Sequence, residues 1–328
     1  MTRNRKNKHK KHKGIKAFAI ILTIMVVITS GALFYLNGKL SKIKINKIDD
    51  ENLSIDENSF KSNDKSEDNF VNILLMGIDI DKEVNDSNSA DSIMIATIDK
   101  THKKLKLTSI MRDSYVDVEG HGNTKLKYSY SYGGPELLIK TVNKNFNMNV
   151  KDYVKVDINN LGKIIDYLGG VSINVQPDEV NLINSYMEGA SKVYKFKYAA
   201  IKKSGLQVLN GAQAVAYCRI RYVGNVDFQR TERQRTVLTE ISKKLSQKGL
   251  LGLPKASDNI LPYVETSLSK TELLSLGSYV LINKITTPEQ FRVPTDDNYH
   301  DSTINGLYYM KWDKEPTIDK LHNFIFGS

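Results

Sequence analysis

Hydrophobic positions along the chain follow two periods. Val71-Asn-Ile-Leu-Leu-Met-Gly77 is a short apolar run closed by glycine, the pattern of a buried strand. Ser92–Ile98 and Lys104–Ile110 read as the next two strands, and their short polar link, Asp99–Lys103, predicts an antiparallel hairpin. Pro135, after Gly133-Gly134, opens a helix with Leu138, Val142 and Phe146 on its apolar face. Tyr153–Ile158 alternates as a half-buried strand. Leu161, Ile164, Ile165 and Leu168 return to the helical period and stop at Gly169-Gly170, and Val171–Val175 is another strand. Strands interleaved with helices, plus a hairpin, predict an α/β domain with a mixed central β-sheet flanked by helices.

From Asp227 the helical period resumes, with Val237, Leu238, Ile241 and Leu245 marking a buried stripe. Followed backwards, that stripe reaches Gln234 and Arg230, with Arg233 beside it. A guanidinium and an amide turned toward a core face are not placed there for packing. They stand in the first turns of the helix, where free N–H groups and the dipole favour an anion, and Asp227 reads as its N-cap. Upstream, Arg219 and Arg221 lie two apart, so an extended backbone would point both to one side. Arginine suits bidentate phosphate binding. A solvated basic face is the competing reading, and Glu232, Arg235, Lys243 and Lys244 fit it.

Two acids stand at strand ends. Asp79 falls just past the first strand and Asp91 just before the second, so neighbouring strands would bring both carboxylates to one cation. Hard oxygen ligands in small number suit Mg²⁺, which keeps waters and takes phosphate oxygens. Turn residues would explain such acids equally, as they do Asp81, Glu83 and Asp86. Arg112-Asp113 follows the third strand and adds a further arginine, at the kind of place where α/β sites form.

Charge changes the picture of the whole chain. Residues 1–16 hold eight Lys or Arg and no acid, so of the formal +10 only +2 (10 − 8) remains for the rest. A nucleic-acid partner would need a basic face on the folded part, which has no such excess. Residues 17–36 form an uncharged apolar run long enough to span a bilayer, and the basic flank places the N-terminus in the cytoplasm. The run exceeds a signal-peptide core and no clear A-x-A-type site follows, so an uncleaved signal anchor is expected. Residues 37–69 have the composition of a polar stalk, and 70–328 suit one extracytoplasmic domain. Cys218 is the single cysteine, which excludes an intramolecular disulfide.

Several motifs are decoys. Ser267–Lys270 matches S-x-x-K and Ser257–Asn259 matches S-D-N, but in the wrong order and without K-T-G. P-loop, HExxH and Cys/His metal spacings are absent, and the six histidines form no cluster. Tyr128, Tyr130 and Tyr132 leave a sugar-stacking surface open.

With these motifs assembled, the chain resembles the LytR-CpsA-Psr family of cell-envelope glycopolymer phosphotransferases over nearly all of its length from Val71. The resemblance rests on Asn72–Asp79, Ala90–Asp99, Ser109–Asp113, Tyr130–Glu136, Leu168–Val171, Leu209–Ala214, Arg219–Tyr222 and Arg230–Gln234. It implies a Mg²⁺-dependent transferase outside the membrane, moving a glycopolymer phosphate (teichoic acid, capsule or another polymer) from a polyprenyl-diphosphate carrier to a peptidoglycan acceptor. It further implies Asp79 and Asp91 as metal ligands, and Arg112, Arg219, Arg221, Arg230 and Gln234 on the diphosphate, with the lipid tail in an apolar tunnel. Two departures stand out. Ser89 occupies a position where the family often has arginine, and Gly224-Asn-Val-Asp-Phe-Gln-Arg230 keeps Asp227 but loses a second glycine.

Phosphoryl transfer asks mainly for positioning and charge neutralisation, which arginines and a metal supply. Asp227 is the best-placed acid for a base near the acceptor hydroxyl, if capping does not occupy it. A lipid-diphosphate hydrolase using water at the same site, and a non-catalytic wall-binding or regulatory membrane protein, are the alternatives.

Overall fold

The hairpin predicted across Asp99–Lys103 forms, as two neighbouring strands of a seven-stranded mixed sheet. In this computed structural model the residues described are 44–48, 52–60, 69–79, 89–194, 197–221 and 226–327. The basic tail (1–16) and apolar run (17–36) lie outside them, and no described helix is long and apolar enough to cross a membrane.

The chain enters through β1 (Lys44–Ile45), then β2 (Phe70–Asp79), β3 (Ser89–Asp99) and β4 (Lys104–Ile110). Asp99 pairs with Lys104, closing the β3–β4 turn. β2 and β3 are antiparallel neighbours from Phe70–Asp99 to Asp79–Ser89, with a bulge at Gly77/Ile78. A small hairpin, β5 (Tyr115–Val118) and β6 (Gly122–Lys125), leads into α1 (Leu126–Phe146). The predicted helix from Pro135 is only the second half of α1. Gly134, at φ 64, breaks the helix as few other residues could, and Pro135 restarts it. Tyr128, Tyr130 and Tyr132 belong to the first half.

Next come β7 (Asp152–Asp157) and α2 (Ile158–Tyr167), joined without a loop because the Asp157 side chain caps α2 by accepting from Asn160 N–H. β8 (Val171–Val175), α3 (Glu179–Tyr194), β9 (Gly205–Leu209) and α4 (Gly211–Arg219) follow. β8 is a strand as predicted, but it pairs with β9 outside the main sheet. α5 (Val226–Ile260), β10 (Glu265–Thr266), α6 (Lys270–Ile282), β11 (Glu289–Val293), the hairpin β12 (Tyr299–Ile304) and β13 (Leu307–Trp312), and α7 (Lys314–Phe326) complete the chain.

Strand order in the main sheet is β1-β10-β7-β2-β3-β4-β11. β7 runs parallel to β2, and β11 to β4. Leu74, Met76, Ile78 and Ile95 share one core with Leu138, Val142 and Phe146 of α1 and Leu321 and Ile325 of α7. A second core joins α2, α3, α4 and the antiparallel β8–β9 pair through Ile165, Ile173, Ile183 and Ala214.

The predicted stalk does not extend to residue 69. β1 adds an edge strand beside β10, Leu53 is buried in the first core, and Phe60 packs on Phe326 at 5.8 Å. Isolated apolar residues in a polar stretch carry no period, so this docking is invisible to pattern. The S-x-x-K decoy is structural: Ser267 Oγ donates to Asp152 Oδ1 (2.7 Å) and Ser269 caps α6 in a capping box with Glu272.

Candidate active site

Along β2 the side chains alternate in an uneven way. Leu74, Met76 and Ile78 are fully buried, whereas Leu75, Gly77 and Asp79, on the opposite face, are only half covered. An apolar residue left half covered in a central strand faces open space. That space is a cavity of about 180 Å³, floored by Leu75, Gly77, Val154 and Val156 and roofed by Leu161 of α2, Val215 and Cys218 of α4, and Val237 and Leu238 of α5. Gly77 is needed there, since a Cβ would stand 2.8 Å from that of Ser92. Burial pushes the Cys218 thiol up to about 12, so it serves the wall and not as a nucleophile. Asp91, Ser92, Asp157, Arg219 and Gln234 supply the polar part of the lining.

Around this polar end the strand and helix termini converge. Arg112, two residues past β4, is buried, bonds to Asp91 through Nη1, and has Nε 3.6 Å from Asp113 and 4.0 Å from Asp227. Burial works against its charge, but Asp91, Asp113 and Asp227 outweigh it and raise its pKa. Asp113 is also buried, yet Arg112, Lys127 and Lys125 overcome the cost of burial and lower its pKa. Lys125 Nζ lies 3.1 Å and Lys127 Nζ 3.5 Å from its carboxylate. This acid and the two lysines at the β6–α1 junction were not singled out as site groups from sequence. The adjacency of Asp113 to Arg112 was the one signal for it.

Arg219 is the last residue of α4, with Nη2 3.1 Å from Asp79 Oδ2. Arg219 and Arg221 therefore do not share an extended strand as expected; the helix ends between them, at Ile220 (φ −58°, ψ 129°). Ser89 stands opposite Asp79 in register, and Arg219 provides the cation facing that acid.

α5 begins at Val226, so Asp227 sits inside the first turn and is not the N-cap that the sequence suggested. Arg230, one turn on, is 2 % exposed and its Nη1 is 3.4 Å from Asp227 Oδ1. None of its three guanidinium nitrogens makes a hydrogen bond with a described residue. Burial lowers its pKa to about 10, with repulsion from Arg112 and Arg221 adding to the effect and Asp227 opposing it. Gln234, a turn further, has a buried Oε1 with no hydrogen-bond partner among the described residues.

Two arginines of this helix are employed differently than expected. The sequence groups Arg233 with the anion ligands, but its Nε is 2.7 Å from Glu179 of α3, and its other nitrogens reach Ile220 O and Gln229 Oε1. It clamps α5 to α3 and to the C-terminal end of α4 at Ile220. Arg235 fits a solvated face in the sequence, yet it is buried and donates to Ser109 Oγ (2.8 Å) and Gln290 Oε1 (3.2 Å) of the sheet. α5 is covered on more of its circumference than a single apolar stripe implies. Glu232 is exposed, as read.

Asp79 and Asp91 do lie on neighbouring strands, each engaged by an arginine. No third His, Cys, Asp or Glu joins them in a metal-holding group among the described residues. A pair of carboxylates fits Mg²⁺, which takes its remaining oxygens from water and phosphate, and would not fit a cation that needs a full protein cage.

Comparison with known proteins gives the family and the fold. The regulatory protein MsrR of Staphylococcus aureus (strain COL) is 32% identical over 241 residues, covering 73% of this chain and 68% of that one. A polyisoprenyl-teichoic acid–peptidoglycan teichoic acid transferase, TagT of Bacillus subtilis (strain 168), is 29% identical over 325 residues, covering 96% and 94%. A solved structure of TagT bound to LIIa-WTA superposes with a TM-score of 0.62 at 25% identity, over 78% of this chain and 91% of that one. The model of the LytR_cpsA_psr family matches residues 32–323, and the chain belongs to that family.

Proposed function

We propose that this protein is a phosphotransferase that moves a glycopolymer phosphate from a polyprenyl-diphosphate carrier to a peptidoglycan hydroxyl. One observation carries the reading: Arg230 holds a buried guanidinium with no hydrogen bond to a described residue, in the field of Arg112, Arg221 and Asp227 and one helical turn before Gln234 of the apolar cavity's lining. Asp227 offsets part of the charge at 3.4 Å, but buried guanidinium donors left without acceptors still cost about 1–3 kcal/mol, which an incoming anion would recover. Cationic groups next to an apolar slot match a lipid diphosphate, head and tail. The curated name of TagT, a teichoic acid transferase acting from a polyisoprenyl carrier, is the same chemistry.

In this mechanism Arg112, Arg219, Arg221 and Arg230 hold the diphosphate, and Gln234 adds an amide at the start of the tail cavity. Arg233 serves by fixing α5. The acceptor oxygen attacks the phosphorus bearing the glycopolymer, the bond to the bridging oxygen breaks, and polyprenyl monophosphate leaves. Arginines bound to the oxygens on both sides of that bond neutralise the charge that develops there. Asp227, freed from capping and 23% exposed at its side chain, accepts the acceptor's proton. Mg²⁺ held by Asp79 and Asp91 would supply further charge neutralisation to the phosphate oxygens. Residues 17–36 would anchor the chain with its catalytic domain outside the cytoplasm.

The full-length protein in detergent, incubated with Mg²⁺, a lipid-diphosphate glycan and peptidoglycan fragments, should yield a glycan–phosphate–peptidoglycan conjugate and polyprenyl phosphate by mass spectrometry. Release of free glycan phosphate instead would assign a hydrolase. Tight lipid binding with no turnover would leave a binding protein.

A further inference from the structure

Outside the site, the outer face of the antiparallel β8–β9 pair carries an unusual combination. Leu206 is 78% exposed, Val208 58% and, in the loop before them, Tyr198 47%. Alternation forces this: Leu209 turns into the core with Val171 and Ile173, so Leu206 and Val208 must face out, beside neutral Ser172 and Asn174 of β8. Exposed Lys197, Lys202 and Lys203 flank them. From Gly189 to Val226 the sequence has seven Lys or Arg and no Asp or Glu.

We propose that this face docks the folded domain onto an anionic lipid bilayer, as a contact separate from the N-terminal apolar run. Exposed aliphatic side chains with a tyrosine and several lysines close in sequence are what an interface between acyl chains and acidic headgroups selects. A soluble polyanion would account for the lysines but would leave Leu206 and Val208 without a purpose. The patch is also tied to the cavity. Gln213 of α4 completes a capping box with Asn210, directly after β9, and donates to Ala199 O in the Tyr198 loop (2.7 Å). Docking through this strand pair would therefore hold the α4 wall of the cavity against the membrane, a consequence that rests on the lipid-substrate reading; the docking itself does not.

The test needs no activity. Leu206→Cys in the full chain, labelled with an environment-sensitive fluorophore, is reconstituted in vesicles carrying nitroxide lipids; buried Cys218 stays unlabelled. Glu315→Cys, exposed on α7, is the control. In phosphatidylglycerol vesicles the probe at 206 should be quenched several-fold more than the probe at 315. Each of Lys197→Glu, Lys202→Glu and Lys203→Glu should weaken the contact about fivefold or more, and phosphatidylcholine vesicles should largely abolish it. Equal quenching at the two positions, no quenching at 206, or energy transfer between differently labelled copies in place of quenching would each overturn the proposal.

Discussion

Arg230 Nη1 lies 3.4 Å from Asp227 Oδ1, one turn back on the same helix, and makes no hydrogen bond to it or to any other described residue. Most buried guanidiniums are held by several acceptors, as Arg233 is by Glu179, Ile220 and Gln229. The two arginines are three residues apart on α5, and their opposite states separate a ligand-binding group from a structural clamp.

Arg230→Ala should lower transfer about 30- to 1,000-fold, the effect of removing about 2–4 kcal/mol of charge-assisted binding to a phosphate. The same change should leave stability unchanged or raise it, because it removes a desolvated, poorly compensated cation. Steady-state kinetics beside a urea midpoint would test this. A large loss of stability with normal kinetics in the folded fraction would assign Arg230 to the scaffold.

Arg233→Ala should do the reverse, leaving Glu179 charged, buried and unpaired at a cost of about 3–5 kcal/mol. Arg235→Ala, which strips Ser109 and Gln290 of a donor, should cost about 1–3 kcal/mol. In both variants the folded fraction should retain the wild-type KM for the lipid donor. A donor KM raised tenfold in either would place that arginine on the substrate.

Asp79→Asn and Asp91→Asn should raise the Mg²⁺ concentration needed for half-maximal turnover by at least tenfold. If Asp91 serves only to hold Arg112, its variant should instead keep the metal requirement and lose donor affinity. A Mg²⁺ titration at saturating donor distinguishes the two outcomes.

Filling the cavity is a test of the tail site. Val215→Trp projects a large side chain into the slot between α4 and the sheet. Donors with long polyprenyl chains should lose more kcat/KM than donors with short ones, whereas Arg230→Ala should penalise both alike. Equal losses for all chain lengths would put the tail elsewhere.

At low pH the far end of the sheet should give way. Asp99 is fully buried; burial raises its pKa, but bonds from His102 and Lys106 outweigh that and lower it below the ordinary carboxylate value. A lowered folded pKa means the stabilisation is complete above about pH 4–5 and is lost as pH falls through the lowered value. Asp99→Asn should be less stable at neutral pH and show a flatter denaturation midpoint between pH 5 and 3. A wild-type slope in that variant would move the acid sensitivity to other groups such as Asp113.

Local pattern was enough for the elements near the site. The run ending at Gly77, the β3–β4 hairpin, the α2 stripe and the α5 stripe each depend on contacts within a few residues, and period and turn chemistry report those directly. The same holds for Arg230 and Gln234, whose place on a core-facing stripe follows from helix geometry alone. What the tertiary structure decided was which partner each charge meets. Arg233 and Arg235 look alike in sequence to Arg230, yet Glu179 lies 54 residues away and Ser109 126 residues away. Asp113, Lys125 and Lys127 join the site only because β5 and β6 fold back beside the end of β4. Likewise Leu53 and Phe60 became core only when α1 and α7 offered a surface to cover. Periodicity records the face a residue presents to the interior; the identity of the group waiting there is set by chain crossings that no local window contains.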